Sequence, residues 1–539
     1  MTQDFILSLK KLLLISKVEI IPLLSTYLYL LVSVASPSRR VFFVVSFFYF
    51  VYLIYSTSSI NKAIIYSFFP LWLLNVGREF LFVVVPREAI KSPLYWEGRT
   101  ISFTLSPFFI LSIITINIVY IYVFRKVFLV IINWSFYHKI NHFIKDIIGR
   151  HYRQNKFNMR KLDTQLFVNE YLLFFLIMFA LIFISSASST YFTGLSFLYT
   201  AVEFSFLAWL ILAILTLRRY SKKKVESILI TLLFILFGML VLESSITYLQ
   251  VLKRGVLGLI IEKVSVVPSF GFGADENRLQ FRPVGLSYHA NSLANWQISL
   301  LSTIILLWLT VKHLLSKNIS NFLIFASIGL SVSVIVLTLS RSAYLSLFLF
   351  AFIFILFNFE TSLKAVRFAL GYLQKFKIPL LVIFVYLIFM ISDRALNTLF
   401  TLGETGGLKT RQVQIEEAIQ IIRSSYYLGV GNGMFISASY DFNPEGVVKY
   451  FPEYIHNGFI LFLAERGFIA GLAYFLGLYF LLRSVTFSFL TKNFRLIIVS
   501  GIVANYVMML FQPFVNFLSL NILITGLLVE IKNHGERYS

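Results

Sequence analysis

Long apolar stretches recur along almost the whole sequence, and they constrain the fold more than any other feature. A helix needs about 20 mainly apolar residues to cross the hydrocarbon core of a bilayer. A scan at that length predicts about fourteen such helices. We therefore expect an all-α polytopic membrane protein with about 12–14 transmembrane helices. The predicted spans are 18–36, 41–58, 63–85, 101–124, 166–185, 194–217, 227–248, 293–311, 321–339, 342–359, 378–392, 457–482, 495–511 and 514–531.

The composition agrees with a chain that lies mostly within the bilayer. Of its 539 residues, 58% are hydrophobic and 13% are charged, whereas soluble domains are about half apolar and about a quarter charged. The chain has no cysteine, which excludes disulfide bonds, thiolate metal sites and a cysteine nucleophile.

The formal net charge of +22 has a topological explanation. Lys and Arg concentrate in the connections 138–161 and 218–224, which the predicted spans place on one side of the membrane. Cytoplasmic loops carry such an excess of basic residues, so that side is expected to be the cytoplasm. The long connections 249–292 and 393–456 fall on the other side and carry mixed charge. Membrane lipid is therefore an expected partner, and nucleic acid is not.

The spans and the long connections divide one membrane domain into regions. Ile415, Ile419 and Ile422 recur along one helical face, which predicts a short amphipathic helix at 410–424 that lies over the membrane opening. Loops held by a rigid scaffold often carry function, so chemistry is expected in the two extracytoplasmic loops. The regions are 1–248 (N-terminal transmembrane helices with basic cytoplasmic loops), 249–292 (extracytoplasmic loop), 293–392 (transmembrane helices), 393–456 (large extracytoplasmic loop) and 457–539 (C-terminal transmembrane helices).

The first candidate site residue is Arg282, in the stretch RLQFRPVGLSYHANSLANWQ at 278–297. Arg-Pro-x-Gly predicts a turn followed by a helix start, with Asn291 or Ser292 as the N-cap. Arg282 then either takes part in a site or only extends its guanidinium group to the membrane interface.

A second candidate, Arg341, interrupts apolar sequence in LTLSRSAYLSL at 337–347. About one residue separates the two predicted spans there, so Arg341 is expected at or within the membrane boundary. Ionisable residues at that depth are costly and mark functional sites. The alternative is an arginine that caps the turn beside lipid phosphates.

The stretch YYLGVGNGMF at 426–435 contains three glycines whose spacing superficially resembles a phosphate-binding loop. It has no following Lys-Ser/Thr, and it comes after a predicted helix rather than after a strand. A chain reversal is therefore the better interpretation.

His456 and Asn457 stand at the start of the twelfth predicted span. The partial positive charge of a helix N-terminus favours a neutral imidazole, which can accept a proton from a hydroxyl nucleophile. The alternative is a structural cap. Glu465 and Arg466, further along that span, are expected mid-membrane as a buried structural pair or as the lining of a cavity. The histidines are scattered along the chain, and no metal-ligand spacing is visible.

Segments within 278–475 resemble sequence elements of the O-antigen ligase and polymerase superfamily, and they come in the family order. The chain departs from the family pattern at Ser425, where the family often has Pro, and at Val413 and Gln414, where it usually has Trp. RPVGLSYHANSLA resembles the element R-x-x-G-x-x-x-x-x-N-x-x-A, and LTLSRSAYL resembles the element T-x-S-R-x-A/G. TRQVQIEEAIQIIRSSYYLGVGNGMF is similar to the segment T/S-R-x-x-x-W-x-x-A…P-x-x-G-x-G-x-G/N-x-F. IHNGFILFLAERGFIAGLAYF resembles the element H-N-x-x-L-x-x-x-x-E-x-G-x-x-G.

The resemblance implies a metal-independent inverting glycosyltransferase of the GT-C-like type that uses no cofactor. It implies a polyprenyl-pyrophosphate-linked saccharide as donor, a lipid-linked glycan or lipid A-core as acceptor, and a chain-length regulator as a further partner. The implied location is the bacterial inner membrane, with the active site on the periplasmic face. Arg282 and Arg341 would balance the pyrophosphate charge, because guanidinium groups bind phosphate bidentately, and His456 would activate the acceptor hydroxyl. The residues expected to contact substrate are Arg411, Asn291, Asn457, Tyr426 and Tyr427.

Within that family, a polymerase is predicted rather than a ligase, because the chain has more predicted spans than we expect of a ligase. A ligase that transfers glycan to lipid A-core or to protein is the alternative. In another class, a flippase or transporter of lipid-linked sugar would show inverted repeats or helices broken by Gly or Pro at matching positions. The sequence shows no such repeats, and a transporter would leave the Arg and His residues on one face unexplained.

Overall fold

The structure of the chain is a computed structural model in which helix is the dominant conformation. The predicted span 378–392 lies outside the residues that it describes. Those residues are 18–74, 83–84, 103–104, 106–122, 170–191, 193–259, 262, 270–271, 280–287, 289–357, 406–444, 446, 455–487, 492–511 and 518–535.

The N-terminal half of the described chain is a series of mostly apolar helices. Serine hydroxyls cap three of them. Ser38, Ser59 and Ser106 accept the backbone N–H groups of Val41, Lys62 and Phe109 and so satisfy donors that a helix start leaves without a partner. The helices are α1 (Ile20–Val34), α2 (Arg39–Thr57), α3 (Ile60–Leu73), α4 (Pro107–Tyr122), α5 (Glu170–Ser188), α6 (Thr193–Leu217) and α7 (Lys222–Lys253).

The C-terminal half contains both apolar helices and two helices from the large loop. The helices are α8 (Ala290–Val311), α9 (Lys317–Leu337), α10 (Arg341–Phe357), α11 (Gly406–Ser424), α12 (Phe435–Phe442), α13 (Gly458–Phe487), α14 (Lys492–Phe511) and α15 (Leu520–Gly535). A single 3₁₀ turn, Lys312–Leu314, follows α8.

The β structure of the described residues is limited to two pairs of two-residue antiparallel strands. β1 (Val83–Val84) pairs with β2 (Phe103–Thr104), and β3 (Phe270–Gly271) pairs with β4 (Gln280–Phe281). The second pair leads directly into Arg282 and therefore helps to position the first candidate site residue.

Among the described residues, 8 helices are long and apolar enough to cross a membrane. Each predicted span that falls on described residues contains a helix, but the spans 63–85 and 101–124 were predicted too long, because they also include β1 and β2. The helices α1, α4 and α10 are shorter apolar helices. The prediction of an all-α polytopic membrane protein is confirmed. A helix suits this environment because it satisfies every backbone hydrogen bond within one segment. The division of the chain into regions stays a prediction.

The central helix of the bundle is α8. It packs against α7, α9, α10, α14 and α15, and Leu300, Ile304, Leu306 and Leu307 on it are fully buried. Because α8 is enclosed on all sides, the residues at its N-terminus are held in a fixed position relative to the surrounding helices.

The end of the bundle opposite to the start of α8 is fastened by ion pairs. Oε1 of Glu19 lies 3.0 Å from Nζ of Lys62 and 2.8 Å from Nζ of Lys224, which joins the beginnings of α1, α3 and α7. Nη2 of Arg218 donates to Oε2 of Glu530 at 2.5 Å, which joins α6 to α15. Of these residues Lys62 and Glu530 are buried, and buried charges persist where they are paired.

The helix α11 coincides with the amphipathic helix predicted in the large loop, but its buried face is rotated. Ala418 and Ile421 are buried, whereas Ile419 is 40% exposed. Ile415 and Ile422 are partly buried against α12 and α13. The spacing of isoleucines indicated the helix but not the face, because the burial depends on which neighbours the helix meets.

Candidate active site

Arg282 follows strand β4 and is fixed by two hydrogen bonds. Its Nε donates to the carbonyl oxygen of Thr338 at 2.9 Å, and its Nη2 donates to Oδ1 of Asn291 at 2.8 Å. The predicted turn after Arg282 is present, since the N–H of Ser287 donates to the carbonyl of Val284 at 2.9 Å. The guanidinium group therefore joins the start of α8 to the turn between α9 and α10, whereas a snorkelling arginine would keep its head group in water.

The helix α8 is capped by His289. Its Nδ1 accepts the backbone N–H of Asn291 at 3.1 Å. The prediction of Asn291 or Ser292 as the N-cap was wrong, because the helix already begins at Ala290 and the carboxamide oxygen of Asn291 is bonded to Arg282.

The surroundings of His289 keep its imidazole neutral. Burial of the ring is the largest cause of a lowered pKa for His289, and the nearby Arg282 and His456 lower this pKa further. The residue nevertheless has an exposed surface, so the ring lies at the edge of the protein matrix. Arg282 and His456 thus both lie near enough to His289 to influence its protonation.

The turn between α9 and α10 places Arg341. Leu339 adopts a left-handed backbone with φ 52, a conformation that costs about 1–3 kcal/mol for a residue other than glycine. Oγ of Ser340 accepts the N–H of Ala343 at 3.4 Å, so Ser340 rather than Arg341 provides the capping side chain. Arg341 is the first residue of α10 and is exposed.

Arg341 lies close enough to Arg411 for their charges to repel each other. The two residues come from different elements, because Arg341 begins α10 and Arg411 lies on the exposed side of α11. Two like charges held near each other favour the binding of an anion between them.

The start of α13 carries the candidate residues His456 and Asn457. Oδ1 of Asn457 accepts the N–H groups of Phe459 and Ile460 at 3.1 and 3.0 Å, so Asn457 is the helix cap. His456 precedes this cap and is half-buried. The structural cap that was considered as an alternative role for His456 is therefore provided by Asn457, whose carboxamide oxygen accepts backbone N–H groups of α13.

Helix starts and positive side chains meet at this end of the bundle. The N-termini of α8, α10 and α13 carry His289, Arg341 and the cap Asn457. Backbone N–H groups and the helix dipole make each N-terminus attractive to anions. The arrangement is suited to a multiply charged anion such as a pyrophosphate.

The glycine-rich stretch is a chain reversal, as the sequence predicted. It packs against a break in α13, where Gly467 has φ 77 and ψ 169. The N–H of Val430 donates to the carbonyl of Ala464 at 2.9 Å, and that of Gly431 donates to the carbonyl of Glu465 at 2.8 Å. The continuous span predicted at 457–482 is therefore wrong in one respect, because the helix is interrupted at Gly467.

Glu465 and Arg466 lie at this break and are both buried. Nη2 of Arg466 donates to Oε1 of Glu203 on α6 at 2.6 Å and to Oδ1 of Asn432 at 2.7 Å. Oε1 of Glu465 accepts the N–H of Phe435 at 3.3 Å. Both side chains hold the glycine-rich turn against the bundle, and they do so at a helix end rather than within a continuous span.

Tyr426 and Tyr427 are exposed and lie beside the same break. The ring of Tyr426 stacks on that of Phe468, with centroids 5.2 Å apart. Phe468 is twelve residues beyond His456, and the helix that begins at Gly458 between them extends over roughly 15 Å. The two tyrosines are thus placed at a distance from the cluster of Arg282, His289 and His456, and their contact with substrate stays a prediction.

A polar ridge on α7 holds the loop that carries Arg282. Oε1 of Glu243 accepts the N–H of Leu286 at 3.0 Å. Oε1 of Gln250 accepts the N–H groups of Val284 and Gly285 at 3.0 and 2.8 Å. Gly285 has φ 56, and a Cβ there would lie 2.5 Å from Oε1 of Glu243, so the close approach requires glycine.

A known family corresponds to part of this site. Residues 326–475 match the sequence model of a family described as O-antigen ligase. Over those residues the chain is similar to the O-antigen ligase and polymerase superfamily. A search of curated proteins finds no match to it. Within the described residues, no group of three or more His, Asp or Glu is arranged to hold a metal ion.

The family match covers only some of the candidate site residues. Arg341, Arg411 and His456 lie within 326–475, whereas Arg282 and Asn291 precede it. The contacts of Arg282 with Asn291 and Thr338 join the two parts. The candidate site is therefore assembled from the matched region and from the loop before α8.

Sequence reasoning missed His289, Glu243 and Gln250. A signal for the last two was present, because a carboxylate and a carboxamide inside a long apolar helix are costly unless they have partners. His289 stood within the RPVGLSYHANSLA segment, but its capping role depends on where α8 begins.

The fit of the glycine-rich turn against α13 gives a testable prediction. Gly429→Ala is expected to destabilise the protein by more than about 1–2 kcal/mol, because Gly429 has φ 72 and a Cβ would lie 2.4 Å from the carbonyl carbon of Glu465. Thermal unfolding of the purified protein in detergent measures this. The control is Gly329→Ala on α9, where a Cβ meets nothing within 4 Å and the helix gains propensity. Equal unfolding temperatures for the two variants would contradict the packing argument.

Proposed function

We propose that this protein is a glycosyltransferase that joins polyprenyl-pyrophosphate-linked oligosaccharide units on the extracytoplasmic face of the bacterial inner membrane. The observation that carries the proposal is the meeting of Arg282, Arg341 and Arg411 with His456 at one end of the bundle, where α8, α10 and α13 begin. The excess of Lys and Arg in the connections 138–161 and 218–224 supports an extracytoplasmic location for that end.

The arginines are proposed to bind the pyrophosphate of the donor. Guanidinium groups form bidentate, charge-assisted hydrogen bonds with phosphate oxygens, and they can balance its charge without a divalent cation. The proximity of Arg341 to Arg411 supports this, since their repulsion is relieved when an anion lies between them.

His456 is proposed to act as the general base. It would accept the proton of the acceptor hydroxyl while the hydroxyl oxygen attacks the anomeric carbon of the donor. The bond between that carbon and the pyrophosphate oxygen breaks, and the polyprenyl pyrophosphate leaves with the bonding electron pair. A single direct displacement of this kind inverts the anomeric configuration and requires no second carboxylate.

The proposed acceptor is another lipid-linked glycan, which makes the protein an O-antigen or exopolysaccharide polymerase. A ligase that transfers the glycan to lipid A-core or protein is the second candidate, and the description of the matching family as O-antigen ligase favours it. The two candidates share the donor and the chemistry, and they differ in the acceptor alone.

Deletion of the gene followed by glycan analysis tests the proposal and separates the candidates. A polymerase predicts that glycan chains shorten to one repeat unit that still reaches its carrier. A ligase predicts long lipid-linked polymer that never reaches the carrier. Accumulation of lipid-linked intermediates on the cytoplasmic face would instead identify a flippase and contradict the proposal.

A further inference from the structure

We infer that His289 contacts the substrate by donating a hydrogen bond from Nε2 to the pyrophosphate of the donor. The inference rests on the proposed function and adds a neutral donor to its arginines. No part of the family match includes His289, since the match begins at residue 326.

The hydrogen bond at the start of α8 fixes the tautomer of His289. Nδ1 accepts the backbone N–H of Asn291 at 3.1 Å, and an acceptor nitrogen carries no proton. In a neutral imidazole the single N–H is then at Nε2. The cap of α8 therefore leaves this ring with one defined donor.

The same surroundings favour the neutral ring that this tautomer requires. The N-terminus of α8 carries partial positive charge, and burial together with Arg282 and His456 lowers the pKa of His289. Protonation of Nδ1 would break the bond to Asn291 and place a second positive charge beside Arg282. The ring thus acts as a hydrogen-bond donor and not as a second cation.

Asn291 forms hydrogen bonds with both His289 and Arg282 and so holds them near each other. Its backbone N–H bonds to the imidazole, and its Oδ1 accepts from Nη2 of Arg282 at 2.8 Å. A pyrophosphate held by Arg282 is therefore close to the ring of His289, which is exposed at this position. As the carbon–oxygen bond to the leaving group breaks, charge develops on the pyrophosphate, and a pre-positioned N–H stabilises that charge.

Capping alone does not explain a histidine at this position. Ser, Thr, Asp and Asn are the side chains that cap a helix best, and Ser38 and Ser59 do so elsewhere in this chain. The difference allows the two roles of His289 to be separated, because a serine can keep the cap while it removes the ring.

The test uses purified full-length protein in detergent, with farnesyl pyrophosphate and farnesyl monophosphate as probes. His289→Ser is expected to keep the wild-type unfolding temperature and to bind farnesyl pyrophosphate about 10–100-fold more weakly, which is the loss of one hydrogen bond to a charged group. Its affinity for the monophosphate should change less, and kcat/KM for a lipid-pyrophosphate-linked donor should fall with the affinity. Ser59→Ala, which removes the cap of α3 at the other end of the bundle, is the matched control and should bind both probes as the wild type does.

The outcomes separate the inference from the proposed function. Wild-type affinity and activity in His289→Ser would overturn the inference and leave His289 as a cap only. A change confined to the KM of the acceptor would also overturn it, because the ring would then contact the acceptor. Failure of the wild-type protein itself to prefer farnesyl pyrophosphate over the monophosphate and to transfer glycan would overturn both the inference and the proposed function.

Discussion

Cells that depend on the Arg341→Ala variant are expected to make no detectable polymer and to retain lipid-linked single repeat units. Removal of one group that stabilises transition-state charge lowers turnover by about 10²–10³-fold. Arg341 is exposed at the first position of α10, so the substitution should change the free energy of unfolding by no more than about 0.5 kcal/mol. The measurements are the glycan profile of the cells and the amount and unfolding temperature of the purified variant.

Two further variants and one control test whether Arg341 acts through its guanidinium group within an active site that includes His456. Arg341→Lys should fail as well, because a single point charge does not reproduce the bidentate fork of a guanidinium group. His456→Ala should lose about 10²–10⁴-fold in turnover through loss of the general base. Arg423→Ala removes the same charge from the exposed end of α11 and should leave polymer formation unchanged. Full-length glycan from both Arg341→Ala and His456→Ala would show that the active site lies elsewhere.

Arg466→Ala is expected to lower the stability of the protein by roughly 2–3 kcal/mol, because it removes charge-assisted hydrogen bonds from a buried guanidinium group to Glu203 and Asn432. The guanidinium group of Arg466 is buried and lies 2.6 Å from the carboxylate of Glu203. Without it, Glu203 lacks this counter-charge inside a membrane-spanning helix, and Asn432 loses its two hydrogen bonds from Arg466. The unfolding temperature in detergent and the yield of membrane-inserted protein measure the effect.

A second substitution distinguishes loss of the ion pair from loss of packing. Arg466→Met combined with Glu203→Gln removes both charges and keeps side chains of similar length, so it should recover most of the lost stability. Arg423→Ala again provides the control, and it should unfold at the wild-type temperature. If the double variant is no more stable than Arg466→Ala, the shape of the arginine rather than its charge holds the break in α13 together.

The order of apolar helices could be predicted from the sequence because each crossing of a bilayer requires its own apolar stretch. The location of Arg341 at a helix boundary followed from the same scan, since the apolar sequence on both sides of it leaves no room for a longer loop. The chain reversal at Gly429, Gly431 and Gly433 was also predictable, because the stretch lacks the residues that follow the glycines of a phosphate loop.

Contacts between distant segments were not predictable in this way. The apolar run 457–482 reads as one continuous span, and the break at Gly467 arises because the backbone around Tyr427 packs against it, with a Cβ at Gly467 lying only 2.2 Å from the carbonyl oxygen of Tyr427. The N-cap of α8 was misplaced for a related reason. The side chain of Asn291 bonds to Arg282, and that bond depends on the turn between α9 and α10.

Hydropathy and helix boundaries are local properties of the chain, so the amino-acid sequence was enough to predict a bundle of membrane-spanning helices with Arg282, Arg341 and His456 near helix ends. The tertiary structure alone decided that these ends meet. Segments far apart in sequence are joined by the hydrogen bonds of Arg282 to Asn291 and Thr338. They are also joined by the electrostatic interaction of His289 with His456 and by the hydrogen bonds from α7 to the loop at 284–286. Such contacts form only when the packed helices bring those segments within hydrogen-bonding distance.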